Sequence, residues 1–118
     1  MVRTHKDLDV WRRSIDFVTN VYCITKAYPK EEIYGLTSQI RRSAVSIPSN
    51  IAEGATRKNK SEFKQFLYIA LSSAAELDTH FTIACNLGYI SVEQKNEILD
   101  DLGSISRMLQ GLIKSITQ

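Results

Sequence analysis

Apolar residues recur at helical spacing in four stretches of this chain. In residues 36–54 the apolar positions step by three or four residues and so share one face of an α-helix: Leu36, Ile40, Ala44, Ile47 and Ile51. Similar patterns occupy residues 8–25, 63–84 and 98–116, and no stretch shows a strand pattern. The chain is therefore predicted to be all-α: an up-down-up-down four-helix bundle with short turns.

Capping residues predict where the later helices begin and end. Asn59 followed by Glu62 matches a capping box and places the start of the third helix just after it. Gly88 is expected to end that helix, because glycine tolerates the left-handed conformation of a C-terminal cap. Ser91 with Gln94 forms a second capping box for the fourth helix.

The second helix contains a proline inside its apolar pattern. Pro48 removes the hydrogen bond to the carbonyl of Ala44, a defect that costs about 3 kcal/mol in a helix interior. Small residues around it allow a neighbouring helix to approach. We expect one helix that is kinked here, with a break at Ile47 as the alternative, because a residue before proline avoids the α region. Gly54 is expected to cap this helix in the left-handed conformation.

The first helix begins near Asp7 or Asp9 and carries two apolar stripes. One has the spacing of a bundle core and consists of Leu8, Trp11, Ile15, Val18, Tyr22 and Thr25. A second stripe lies beside it, and one monomeric core would not need both. Since exposed apolar surface marks an interface, we predict self-association through this second stripe and surplus apolar residues of the third helix: Val10, Phe17, Val21, Ile24, Phe66 and Ile69.

Two strings of the chain carry a family resemblance. QIRRSAVSIPSNIAEG at residues 39–54 and EFKQFLYIALSSAAEL at residues 62–77 resemble the four-helix bundle protein family, and the likeness extends from Leu8 to Leu112. That family includes the 23S rRNA-intervening-sequence proteins of bacteria and the accessory variability determinants of diversity-generating retroelements. The first string is shared by both branches, so the branch stays open.

The resemblance implies an assembly and a class of partner. Family members look like ring-like homopentamers, which periodicity alone would not indicate. In the retroelement branch the accessory protein is basic, lacks catalysis of its own, and associates with a reverse transcriptase and its RNA template. The present chain departs from that branch in its formal net charge of only +2.

Length and composition indicate one domain, residues 1–118, that is large enough to bury a core. Cys23 and Cys85 lie within helical patterns without metal-ligand spacing, which is typical of a reduced, cytoplasmic protein. No apolar run approaches the roughly 18 residues that span a bilayer, and the polar start does not resemble a signal peptide. We therefore expect a cytoplasmic protein with no membrane partner.

Positive charge is concentrated in the first half of the chain. Residues 1–64 contain 12 Lys and Arg against 7 Asp and Glu, whereas residues 65–118 contain 3 against 6. The candidate nucleic-acid-binding residues are Arg41, Arg42, Arg57, Lys58, Lys60 and Lys64, with Arg12 and Arg13 as additions. Such residues neutralise backbone phosphates, and a cyclic oligomer would repeat them once per subunit. The prediction is RNA or ribonucleoprotein binding; the alternative is a purely protein-binding scaffold whose basic turn only solubilises it.

Arginines within the second helix also allow a structural role. Arg41 and Arg42 flank positions that face the core, so an arginine tying helices or subunits together is favoured over direct nucleic-acid contact. Asn50 and Glu53 are interpreted as capping and interhelical hydrogen-bond partners.

No motif in the sequence indicates an enzyme. Glu76 and His80 are four residues apart rather than the three of a di-iron motif, and no second Glu/His pair exists. They are interpreted as a surface or interface pair. Motifs for phosphate cradles, metal hydrolysis and nucleophile elbows are missing as well. The expectation is no catalysis, no metal and no cofactor.

Overall fold

The computed structural model describes residues 4–117, which form four α-helices. Their bounds are α1 Asp9–Thr25, α2 Leu36–Ala55, α3 Lys60–Asn86 and α4 Val92–Thr117. Short 3₁₀ turns, His5–Asp7 and Lys30–Glu32, precede α1 and α2. Because residues 4–117 contain no strand, the all-α prediction is confirmed. None of the helices in this part of the chain combines the length and apolar character needed to cross a membrane.

Local capping explains the ends of α3 and the start of α4. The Asn59 side chain accepts a hydrogen bond from the backbone N–H of Glu62 at 2.8 Å, as the sequence predicts. At the far end Gly88 has φ of 80°, and the N–H of Tyr89 reaches back to the carbonyl of Ala84 at 2.9 Å. Ser91 and Gln94 exchange the two hydrogen bonds of a capping box. These boundaries were readable because the groups that set them are close in sequence.

Each helix packs against the next, and α4 also contacts α1. Neighbours run antiparallel: Ser43 near the start of α2 bonds Glu76 late in α3, whereas Gly54 at the end of α2 meets Phe66 early in α3. The α2–α3 pair has the most extensive contact. The molecule measures 44 × 24 × 19 Å, an elongated bundle around one hydrophobic core.

The register of α1 differs from the prediction. Val10, Phe17 and Val21, which were expected in an oligomer interface, are buried in the core of the single chain. Of the stripe predicted to be core, only Thr25 is buried; Ile15 remains 38% exposed and Tyr22 39%. Ser14 explains the exchange: it is fully buried, and its hydroxyl donates to the carbonyl of Trp11 at 2.7 Å. A serine satisfied by its own helix can sit in a core, although a count of apolar positions treats it as an interruption.

Two expectations for α2 are corrected. The helix continues through Pro48, so the alternative break at Ile47 is wrong. Gly54 is not a left-handed cap, because it lies within the helix and Gly88 is the positive-φ residue of the described chain. Glycine at position 54 instead avoids a steric clash. A Cβ there would lie 2.8 Å from Cβ of Phe66 and 2.9 Å from Cδ1 of Phe63. Glycine here permits close approach of α2 and α3 beside their connecting turn.

Candidate nucleic-acid interface

The connection between α2 and α3 presents the predicted basic turn at one end of the bundle. Arg57, Lys58 and Lys60 are exposed, and Lys64, one turn into α3, is half-buried. The Asn59 cap fixes the residue at which α3 begins, and it therefore fixes the positions of Lys60 and Lys64 on that helix. The structure thus brings together four of the six predicted residues.

Arg57 differs from the three lysines in its contacts. Its guanidinium lies 3.7 Å from the Glu53 carboxylate and 4.7 Å from the centre of the Phe66 ring. Such a cation–π contact holds an arginine against the protein surface. Within residues 4–117, Lys58, Lys60 and Lys64 form no ion pair. The lysines are therefore the cations of this turn that are available to an anionic partner.

Arg41 and Arg42 lie about 20 Å from the turn, because some 14 residues of helix at 1.5 Å each separate them. Arg41 packs toward α1: its Nε donates to Oγ1 of Thr25 at 2.9 Å, and its guanidinium stacks 4.6 Å from the Tyr22 ring centre. These contacts match the favoured interpretation of an arginine that ties helices together. Arg42 is exposed and lines a cleft between α2 and α3.

The two further arginines near the start of α1 are engaged with carboxylates. Arg12 pairs with Asp9 in the same helix, and it also donates to the carbonyl of Lys6 at 2.6 Å. Arg13 pairs with Asp101 of α4 at 3.0 Å. Both therefore fix the α1 terminus rather than enlarge the basic turn.

Sequence reasoning missed the polar row that joins α2 to α3. Ser43 donates to Oε1 of Glu76 at 2.5 Å, and the hydroxyls of Ser46 and Ser73 lie 2.8 Å apart. The Asn50 amide donates to the Ser46 carbonyl at 2.8 Å, a bond within α2 rather than the expected interhelical one. The spacing of polar residues at three and four positions along α2 was the available signal, but it has meaning only once α3 is known to face it.

Glu76 and His80 line the cleft beside this row. It has a volume of about 310 Å³ and is lined by Gln39, Arg42, Ser43, Ser46, Glu76 and His80. Nδ1 of His80 is buried and has no hydrogen-bond partner within residues 4–117. Glu76 and His80, predicted from sequence to be a surface or interface pair, therefore both line an interhelical pocket. In that same portion of the chain, no three His, Cys, Asp or Glu side chains are grouped as metal ligands.

The remaining residues predicted for an oligomer interface vary in exposure. Ile24 and Phe66 are half-buried, and Ile69 is 47% exposed. The exposed apolar surface on α1 and α2 instead includes a groove lined by Trp11, Ile15, Val18, Val45, Pro48 and Ala52, together with His5 and Ser49. On α3, Tyr68, Ile69 and Ile83 are also exposed.

Shifted pKa values occur at the opposite end of the bundle. Burial, with a smaller contribution from Cys85, raises the pKa of Tyr28 to about 12. Hydrogen bonds from the Leu36 N–H and then the Tyr89 hydroxyl lower the pKa of Glu32. The same bond to Glu32 raises the pKa of Tyr89. These groups tie the start of α2 to the α3–α4 connection and have a structural role.

Comparison with known proteins identifies the family. The family model for 23S rRNA-intervening sequence proteins matches residues 6–111. A crystal structure of a protein with unknown function from the S23 ribosomal protein family of Bacteroides thetaiotaomicron has a TM-score of 0.82 and 28% sequence identity. The match covers 89% of this chain and 98% of that one. No curated protein matches the sequence. The chain belongs to the 23S rRNA-intervening sequence protein family.

Proposed function

We propose that this chain is a non-enzymatic, cytoplasmic protein that assembles into a ring-like homopentamer and binds RNA or a ribonucleoprotein through its repeated basic turn. The observation that carries the proposal is the exposed turn itself. Three lysines there have no ion-pair partner in residues 4–117, although Glu53 and Glu62 lie in the same stretch. A single turn of this kind binds phosphate weakly, and repetition around a ring would increase the apparent affinity.

The apolar surfaces support a ring rather than a two-fold dimer. A cyclic ring needs two different surfaces on each subunit, because the front of one copy meets the back of the next. The groove on α1 and α2 would be one such surface, and the adjacent exposed residues Tyr68 and Ile69 of α3 would form part of a second. The number five follows from the family resemblance. The proposed kink at Pro48 would shape α2 where it borders this groove.

The second candidate function is a protein-binding scaffold that does not contact nucleic acid. The same apolar groove favours it, since exposed apolar surface also receives other proteins. A reverse-transcriptase-type ribonucleoprotein would combine both kinds of contact. The two candidates differ in one measurable quantity, the dependence of binding on salt.

The test is binding of a fluorescently labelled structured RNA, with light-scattering mass on the same sample, at about 50 and 200 mM salt. We expect Lys58→Glu with Lys60→Glu to weaken binding and to lower the log–log salt slope by roughly 2, about one per lost contact. Arg57 is left unchanged because Glu53 and Phe66 hold it. The matched control is Lys26→Glu with Lys30→Glu, which makes the same charge change at the other end of the bundle.

Equal losses in the two double variants would show diffuse attraction and contradict a site at the turn. Unchanged binding by the Lys58 and Lys60 variant would place the site elsewhere. Absence of binding at the lower salt would reject the RNA function and favour the scaffold. A mass equal to one chain at all concentrations would reject the ring.

A further inference from the structure

The cleft between α2 and α3 has a chemistry that the basic turn lacks. It combines one guanidinium, one carboxylate, one imidazole, two hydroxyls and one amide around a volume of about 310 Å³. That volume lies at the lower end of the range typical of small-molecule sites. Phosphate is a poor occupant, because the Glu76 carboxylate would repel it.

The hydroxyls of the cleft are already engaged, whereas several of its nitrogen groups, among them those of Arg42 and His80, are not. Ser43 donates to Glu76, and Ser46 bonds Ser73. Within residues 4–117, Arg42 forms no hydrogen bond or ion pair, and Nδ1 of His80 is buried without a partner. Buried polar groups are normally satisfied, so a missing partner is an observation that needs an explanation.

Opposite charges line this cleft without neutralising each other. Arg42 and Glu76 both face it, yet they form no ion pair in the described chain. A ligand that satisfies both must offer a hydrogen-bond acceptor to Arg42 and donors to Glu76. The edge of a guanine base has this order, with the O6 acceptor beside the N1–H and N2–H donors. Arginine pairs well with guanine O6 and N7, and carboxylates accept from base amino groups.

We propose that the cleft binds an unpaired guanine base, with Glu76 accepting from N1–H and N2–H and Arg42 donating to O6 or N7. This inference rests on the proposed RNA-binding function and adds base preference to it. Proteins read RNA sequence mainly on unstacked bases of single-stranded segments. The separation of about 20 Å from the basic turn corresponds to about six nucleotides at the stacked spacing of 3.4 Å, and to fewer in an extended strand. One strand can therefore place a base in the cleft and phosphates at the turn.

The experiment uses nucleosides, because they carry no phosphate and do not depend on the turn. Guanosine, inosine and adenosine are titrated into isotope-labelled protein, and the NMR signals of His80 and neighbouring amides are followed. We expect saturable shifts with guanosine, and at least about 5-fold weaker binding of inosine, which lacks the N2 amino group. Glu76→Gln should weaken guanosine binding by about 5-fold or more, while retaining an oxygen for Ser43.

Three further variants test whether guanosine binding depends on the cleft residues alone. Arg42→Gln changes an exposed side chain without internal bonds, so it should fold normally and lose guanosine binding. Asp78→Asn makes the same charge change as Glu76→Gln on the same helix, outside this cleft, and should bind guanosine like the parent. The Lys58 and Lys60 double variant should also bind guanosine normally.

Different results separate the two proposals. RNA binding without guanosine shifts would overturn the base site and leave the RNA function standing. Guanosine binding that depends on Glu76, without any RNA binding, would support the cleft and reject the RNA function. Equal binding of guanosine and adenosine would overturn guanine recognition. Binding of a free amino acid in place of guanosine, lost in Glu76→Gln, would assign the cleft to a zwitterion and also overturn it.

Discussion

The two sides of α2 are built from different chemistry. Toward α3 the helix presents hydroxyls that bond Glu76 and Ser73, and its bare Gly54 backbone lies against Phe63 and Phe66. Toward α1 it presents Val45, Pro48 and Ala52, which border an open apolar groove. The α3 side makes close contacts and directional hydrogen bonds. Over residues 45–52 the α1 side makes shallow apolar contacts, although Arg41 nearer the start of α2 also bonds α1.

This difference indicates separate roles for the two faces. Hydrogen bonds have geometric demands, so the polar row fixes the register of α2 against α3 and shapes the cleft beside it. Apolar contact is non-directional and tolerates many partners. The α1 side can therefore lie beside its own chain and still offer surface to a second one. The largest expected effects come from substitutions on α1, where a buried position should control stability and an exposed one should control assembly.

Phe17→Ala should lower the free energy of unfolding by about 3–5 kcal/mol, because the ring is 1% exposed and its loss leaves a core cavity. Ile15→Asp should instead leave the fold of the single chain intact and dissociate the proposed oligomer, since Ile15 lines the apolar groove. Urea unfolding and light-scattering mass measure the two effects. If Ile15→Asp kept the parental mass at low concentration, the groove would not be the assembly surface.

Gly54→Ala tests the close side of α2. The added Cβ would collide with Phe63 and Phe66, so we expect the free energy of unfolding to fall by about 1–3 kcal/mol. Gly111→Ala is the control: it also replaces a helical glycine, but nothing lies within 4 Å, and it should stabilise by about 0.5–1 kcal/mol. Thermal or urea unfolding compares them. Equal effects of the two substitutions would argue against close approach at Gly54.

The smallest expected effect concerns the polar row. Ser43→Ala should cost about 1 kcal/mol, and a double-mutant cycle with Glu76→Gln should show coupling, since both change one hydrogen bond. Thr79→Ala serves as control because its hydroxyl bonds only within α3, at the Ala75 carbonyl. Additive losses for Ser43 and Glu76 would mean that the row does not hold the two helices together.

Capping and periodicity were sufficient for much of the fold. The starts of α3 and α4 and the left-handed Gly88 were predicted correctly, because each depends on residues within a few positions of one another. The core residues of α2 and α3 also followed their predicted seams, as shown by the buried Ile40, Ile47 and Leu77. The prediction for Gly54 was wrong because the role of this residue depends on phenylalanines of another helix.

The candidate site was predictable only in part. The basic turn is contiguous in sequence, so its lysines could be grouped without a structure. The two arginines at positions 41 and 42 are neighbours in sequence, yet they face α1 and the α3 cleft respectively. Adjacent helical residues point about 100° apart, so only the packing of the other helices decides what each one meets.

The sequence by itself determined four amphipathic helices, the caps that bound α3 and begin α4, the basic turn and the family string. Tertiary structure decided which of two apolar stripes on α1 became core; the buried face includes Ser14, whose hydroxyl is satisfied within its own helix. It also decided that Ser43, Ser46 and Glu76 form one row. The physical reason is common to both: helical periodicity fixes which residues share a face, whereas only packing fixes what that face touches.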